Sequence, residues 1–251
     1  MSIPKDKHST IPPETFRTCC LLRLGLKIPS VPAFCRACKT RINSDATHLF
    51  SCTHYRQLLT HRHDAIIRDL KDLASQASVQ AQDKHLTLFR VEDENDGQRP
   101  DLMLTGQGVN GRDLLLDITI SHPTCQSYVQ LACKERGHTI KKKIKAKNDK
   151  YKDKCETRGT CFLPLAFESF GLASKEVITT ISKLAQKAAE LSGIPYTLLL
   201  SYWKKRISTT LQIGTAKFIM EASSSCSRLS NSKQALEESA MLEARHVRLR
   251  H

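Results

Sequence analysis

A chain of 251 residues, 40% hydrophobic and 25% charged, can build one substantial core or one domain with a small satellite, and its balance excludes a disordered chain. A formal net charge of +14 predicts a polyanionic partner, either nucleic acid or an anionic membrane surface. Membrane is the weaker option, since no apolar run approaches the roughly 18 residues that span a bilayer.

Met1 to Pro13 has no apolar stretch of the kind a secretory signal needs, so the expected compartment is reducing. There, the ten cysteines serve more often as metal ligands or buried small residues than as disulfide partners. In chain order, the apolar run Thr18 to Leu26, followed by Pro29 and Pro32, predicts a short helix feeding into a loop. Residues 35–55 hold a Cys/His cluster. From Arg56 to about Ala77 the positions Leu59, Ile66, Leu70, Leu73 and Ala77 recur at helical steps, an amphipathic helix. The acidic patch Glu92 to Asp96 reads as a loop. Leu102 to Thr105 and Leu114 to Ile120, separated by the glycine-rich stretch Gly106 to Gly111, predict a β-hairpin. Residues 127–154 read as one increasingly basic helix, Leu163 to Phe167 as a short strand, and 174–192 and 196–221 as two helices split by Gly193 and Pro195. The Ser-rich stretch from Ser223 reads as a mobile connection ahead of a surface helix.

Cys35-Arg-Ala-Cys38 and His48-Leu-Phe-Ser-Cys52 form a CxxC-x9-HxxxC pattern. A CxxC turn presents two thiolates from one loop, and an HxxxC pair presents two ligands from one helix face. Two ligand pairs at finger distance point to a closed, structural Zn²⁺ site rather than chance placement of buried cysteines. His63 falls on the apolar stripe after Leu59 and before Ile66, where a histidine is more often a hydrogen-bonded supporting residue than a ligand.

Two aspartates stand out, in Arg99-Pro-Asp101 and Asp117-Ile-Thr119. If the hairpin forms, Asp101 lies opposite some residue between Leu116 and Ile120, and at one end of that range the two carboxylates are cross-strand neighbours able to share a cation. Asp117 and Thr119 point to one face of their strand and Leu116, Ile118 and Ile120 to the other. An aspartate within an apolar strand needs a cationic partner. The bland reading makes Asp101 a turn cap and Asp117 part of a solvated face.

Lys134 to Lys154 contains ten Lys/Arg against three acidic residues. On a helix, Ile140, Ile144, Lys147 and Tyr151 form one inward stripe, so Lys147 is expected in a buried row, flanked by Lys143, Lys150 and Lys154. Lys141, Lys142, Lys145 and Lys152 are expected on the solvated face, where they would bind phosphate backbone non-specifically.

In this order, the Cys35/Cys38/His48/Cys52 cluster, His61-Arg-His-Asp64, Arg99-Pro-Asp101, Leu116-Asp117-Ile-Thr119 and Lys147-Asn-Asp-Lys150-Tyr151 resemble the restriction-like endonuclease domain, of the PD-(D/E)xK kind, of site-specific non-LTR retrotransposon proteins. By motif the resemblance covers residues 30–170, and Tyr202-Trp203 to Ala216 more loosely. It implies a mixed α/β fold, a restriction-endonuclease-like core whose mixed sheet is flanked by helices. The implied division is a helix and zinc module over 1–55, the nuclease core over 56–172, a helical region over 173–222 and a tail over 223–251. It implies hydrolysis of DNA with Mg²⁺ or Mn²⁺ held by Asp101 and Asp117, completed by a helix-borne lysine. The usual lysine two residues after the second acid is here Thr119, so Lys147 or Lys150 would replace it. Lys141, Lys142, Lys143, Lys145 and Tyr151 are the expected nucleic-acid contacts. Target DNA, element RNA and a nuclear location follow from the resemblance. The chain has no Tyr/Phe-x-Asp-Asp run, so the reverse transcriptase region would be lost or encoded elsewhere. The second function class is a zinc-containing nucleic-acid-binding protein whose nuclease site has decayed.

Overall fold

The computed structural model describes residues 10–43, 46–83 and 100–248, and of residues 226–248 the backbone alone. The expected loop at Glu92 to Asp96 and the residue Arg99 lie outside the described residues. In chain order the elements are α1 (Pro13–Arg23), α2 (Thr47–Ser51), α3 (Arg56–Gln76), β1 (Ala81–Asp83), β2 (Leu102–Leu104), β3 (Leu114–Ser121), α4 (Val129–Ala132), α5 (His138–Thr157), β4 (Cys161–Glu168), α6 (Lys175–Ser192) and α7 (Tyr196–Arg248). The fold is mixed α/β.

The four strands form one sheet in the order β1-β2-β3-β4. The expected hairpin is present: β2 and β3 run antiparallel with Leu102 opposite Leu116 and Leu104 opposite Leu114. β4 lies parallel to β3, with Asp117 opposite Pro164. A parallel neighbour needs a crossover, and α5 supplies it. Pro164 lacks a ladder donor and is tolerated because β4 ends the described sheet order.

Strand alternation divides the sheet into two packed faces. Leu102, Leu104, Leu116, Ile118, Leu165 and Phe167 meet α3, α6 and α7 through residues such as Leu70, Ile181 and the fully buried Trp203. Met103 and Leu115, on the opposite face, pack with Tyr151 and Cys155 of α5. Asp117 follows Leu115 by two positions and therefore faces α5 as well. At the α3–α7 crossing, a Cβ on Gly214 would stand 2.4 Å from the Arg62 Cβ, so only glycine admits this approach. The Cys/His segment joins Leu22, Ile28, Leu49 and Tyr55 in a smaller core against Phe218, Ile219 and Ala222 of α7.

Two expectations need correction, and one strand was not anticipated. The basic region is two helices rather than one: α4 ends at Ala132, and Gly137, at φ 77°, stands at the start of α5. β1 (Ala81–Asp83) has no strand-like sequence and exists by pairing with β2. The chain does not leave helix at Ser223: α7 continues to Arg248. Burial of Phe218, Ile219 and Ala222 anchors it, and Ser223 turns its hydroxyl back to the Ile219 carbonyl at 2.7 Å. Among the described residues no helix is long and apolar enough to cross a membrane.

Candidate active site and metal centre

The Cys35–Cys38 segment is a tight turn closed by Lys39 N–H donating to the Cys35 carbonyl (2.7 Å) and Cys35 N–H to the Thr40 carbonyl (2.8 Å). Lys39 occupies the left-handed region at φ 64° to make that turn. His48 comes from α2, and Cys52 lies immediately beyond its last residue. The four ligand atoms lie within 4.8 Å of one another. Cys38 Sγ is 3.2 Å from His48 Nε2 and 3.9 Å from Cys52 Sγ, which is 3.9 Å from Cys35 Sγ. A tetrahedral ion with thiolates at about 2.3 Å sets its sulfur ligands about 3.8 Å apart. The donor set thus fits a metal ion such as zinc. The slight burial of the Cys38 thiol pushes its pKa up, but hydrogen bonding with Thr40 and neighbouring thiols outweighs this and brings it to about 6, while burial raises that of the Cys52 thiol to about 11.

The second constellation lies where β2, β3, α3 and α5 meet. Asp101 directly precedes β2; its N–H donates to the Leu116 carbonyl at 2.9 Å, and its Oδ2 accepts from Ile118 N–H at 2.6 Å. The carboxylate is thereby folded back along β3, next to Asp117. Asp117 is 3% exposed. Lys147 Nζ reaches it from α5, 2.9 Å from both carboxylate oxygens. Only Oδ1 receives a directed hydrogen bond, so Oδ2 is buried without one. Burial raises the Asp117 pKa; the attraction of Lys147 opposes that rise, and the negative charge of Asp101 adds to it.

His63 approaches from α3. Its Nε2 is 3.1 Å from Asp101 Oδ2 and its Nδ1 is 3.1 Å from Asp64 Oδ1. Partial burial would lower its pKa, but the hydrogen bonds and charges of Asp101 and Asp64 lift it to about 9. The His63–Asp101 contact was not legible in the sequence, where spacing placed His63 only on the inward stripe.

The expected stripe on α5 is present: Ile140 and Tyr151 are buried, and Ile144 and Lys147 half-buried. Lys147 is the lysine brought to the aspartates. Lys150 is exposed and lies over the Tyr151 ring at 5.2 Å. Tyr151, expected as a nucleic-acid contact, is instead 5% exposed and packs on Phe162 with ring centroids 5.2 Å apart. It fills the core, since its place on the inward stripe directs it to the sheet. Lys141, Lys142 and Lys145 are exposed and Lys143 half-buried; Lys141 pairs with Glu135 and Lys145 with Asp149.

A stacked bridge joins the two centres. The Phe50 ring, from α2, stacks on His122 at 3.9 Å and 12°, and His122 directly follows β3. The buried Arg62 guanidinium stands 5.6 Å from the Phe50 centroid and donates to Ser169 Oγ (3.0 Å) and Thr215 Oγ1 (3.3 Å). Compared with protein-family models and with curated protein sequences, the chain matches none.

Proposed function

We propose that the protein is a Mg²⁺- or Mn²⁺-dependent DNA endonuclease with a restriction-like core and a structural Zn²⁺ module, similar to the nuclease domain of site-specific non-LTR retrotransposon proteins. The observation that carries this reading is Asp117: a carboxylate buried in an apolar strand, beside Asp101 and met by Lys147. A fold gains nothing from such a group unless the site uses it, because burying the ion costs more than one ion pair returns.

Asp117 and Asp101 would hold the divalent cation, and the undirected Oδ2 of Asp117 offers it a lone pair. Such an ion neutralises phosphate charge and lowers the pKa of water. The ammonium of Lys147, 2.9 Å from the Asp117 carboxylate, would stabilise charge developing on the phosphate. Water adds to phosphorus, the bond to the leaving oxygen breaks, and that oxygen takes up a proton. The exposed Lys141, Lys142 and Lys145 supply phosphate-backbone affinity that weakens steeply with salt. Nuclear DNA is the corresponding substrate, with element RNA as a second partner.

The test is nicking of supercoiled plasmid. Wild type should nick with Mg²⁺ or Mn²⁺ and stop with EDTA, and Asp117→Ala should not nick. Equal nicking by both proteins would remove the site assignment. No nicking by either, with DNA binding intact, would support a binding module.

The same assay separates the lysines. Lys147→Met should slow nicking by about 10²–10³-fold, the usual loss of one preorganised charge. Lys150→Met, which removes an exposed side chain, should cost less than about tenfold, as for one phosphate contact. Equal losses would refute the assignment of Lys147.

A further inference from the structure

We infer that His63 is a positioning residue for Asp101: together with the Ile118 amide it holds Oδ2, so that Asp101 meets a divalent cation through Oδ1 alone. The inference rests on the reading of Asp101 and Asp117 as the cation-binding pair.

A carboxylate oxygen has two in-plane lone pairs. Asp101 Oδ2 accepts a hydrogen bond from Ile118 N–H at 2.6 Å and stands 3.1 Å from His63 Nε2 in an ion pair. A cation at that oxygen would have to displace one of them. Among the described residues Oδ1 takes no hydrogen bond, which leaves it as the free ligand atom. The backbone donor is fixed by β3 itself, since Ile118 sits in the strand. The side-chain partner is fixed by α3 and by Asp64, whose carboxylate lies 3.1 Å from the far ring nitrogen. With one nitrogen on each carboxylate, the ring is a strut between Asp64 and Asp101 rather than a ligand with an unused lone pair.

The strut also explains why a histidine occupies the inward stripe of α3. Position 63 lies between Leu59 and Ile66, where an apolar residue would pack, and the side chain is only partly exposed. The imidazole gives up apolar burial there to reach the end of the sheet. Outer-shell groups of this kind set the orientation of a metal-binding carboxylate, and their removal commonly lowers metal affinity by about 10–100-fold.

The probe is Mn²⁺ added to the full-length, zinc-loaded protein, with binding read by the electron paramagnetic resonance of free and bound ion. His63→Leu should weaken binding by about 10–100-fold. His63→Gln, whose amide N–H can reach the same oxygen, should recover most of the loss. The bound ion should show no coupling to an imidazole nitrogen from His63. Unchanged Mn²⁺ affinity in folded His63→Leu would overturn the inference. So would a Gln variant as weak as the Leu variant, or a nitrogen coupling present in wild type and lost in His63→Leu, which would make His63 a ligand. Asp117→Ala separates the two levels. Binding lost there but intact in His63→Leu removes this inference alone; binding unaffected by Asp117→Ala removes the cation-binding pair and the inference with it.

Discussion

An Asp117→Asn protein should melt at a higher temperature than wild type while losing its nicking activity. The carboxylate is 3% exposed, beside Asp101, with Lys147 as its one cationic hydrogen-bond partner among the described residues. Its raised pKa means that desolvation and repulsion outweigh the lysine. An acid whose folded pKa lies above its unfolded value favours the fold in its protonated form. That contribution is complete below the unfolded value near 3.8 and is lost as pH rises through the raised native value. The ionised group is therefore a net cost to the fold, which asparagine removes at nearly constant volume. Lys147 is half-exposed and can turn to water when its partner is neutralised. Each kcal/mol relieved should raise Tm by about 2–4 °C for a chain of this size. The gap between the two proteins should close as pH falls below the native pKa of Asp117. Mg²⁺ should raise the Tm of wild type and leave that of the variant unchanged, since a ligand stabilises only the state that binds it. A Tm several degrees below wild type at neutral pH would show the ion pair with Lys147 to be net stabilising and contradict the electrostatic argument. Function retained against stability is the expected signature of an active site rather than of a structural salt bridge.

Legibility of the fold and site followed the sequence distance over which each feature is decided. The Cys35, Cys38, His48 and Cys52 cluster was readable because all four ligands come from an 18-residue stretch whose spacing nearly fixes their geometry. The β2–β3 hairpin was readable from alternation, but its register was not: a turn of several lengths fits Gly106 to Gly111, and only the pairing of Leu102 with Leu116 brings Asp101 beside Asp117. Helical periodicity placed Lys147 on the inward stripe, whereas its choice over Lys150 depended on which face of β3 receives α5. The same stripe buried Tyr151, which had been expected as a nucleic-acid contact. His63 meets Asp101 across 38 positions, and no local pattern encodes that contact. The continuity of α7 past Ser223 is likewise tertiary. Serine is a mediocre helix former, and burial of Phe218 and Ala222 against the Cys/His segment overrides it.

Removing the metal ligands should unfold one end of the protein and spare the other. Metal analysis should find about one zinc per chain, lost on Cys38→Ser. Cys38 is the informative ligand to change because it is exposed, whereas Cys35 is fully buried and its replacement would also disturb packing. The segment around the ligands has little core of its own: Leu22, Ile28, Leu49 and Tyr55, closed against α7. A module this small leans on its metal, which contributes about 10–16 kcal/mol in isolated zinc-finger peptides, as much as the whole stability of an ordinary domain. Its loss should therefore melt residues 28–55 outright and expose Phe218 and Ile219. The sheet core around Leu102, Leu116, Phe167 and Trp203 is built without these residues and should keep its amide protection. Between the two lies the Phe50–His122 stack with Arg62. Freeing Phe50 leaves the Arg62 guanidinium, whose pKa burial already lowers to about 10, with only Ser169 and Thr215. Protection should thus weaken at the His122 end of β3 before it weakens at Leu114. Hydrogen exchange on wild type with and without a zinc chelator distinguishes the cases. Uniform loss across the sheet would mean that the metal holds the whole fold, and full protection of residues 28–55 in a zinc-free, folded sample would overturn the metal assignment.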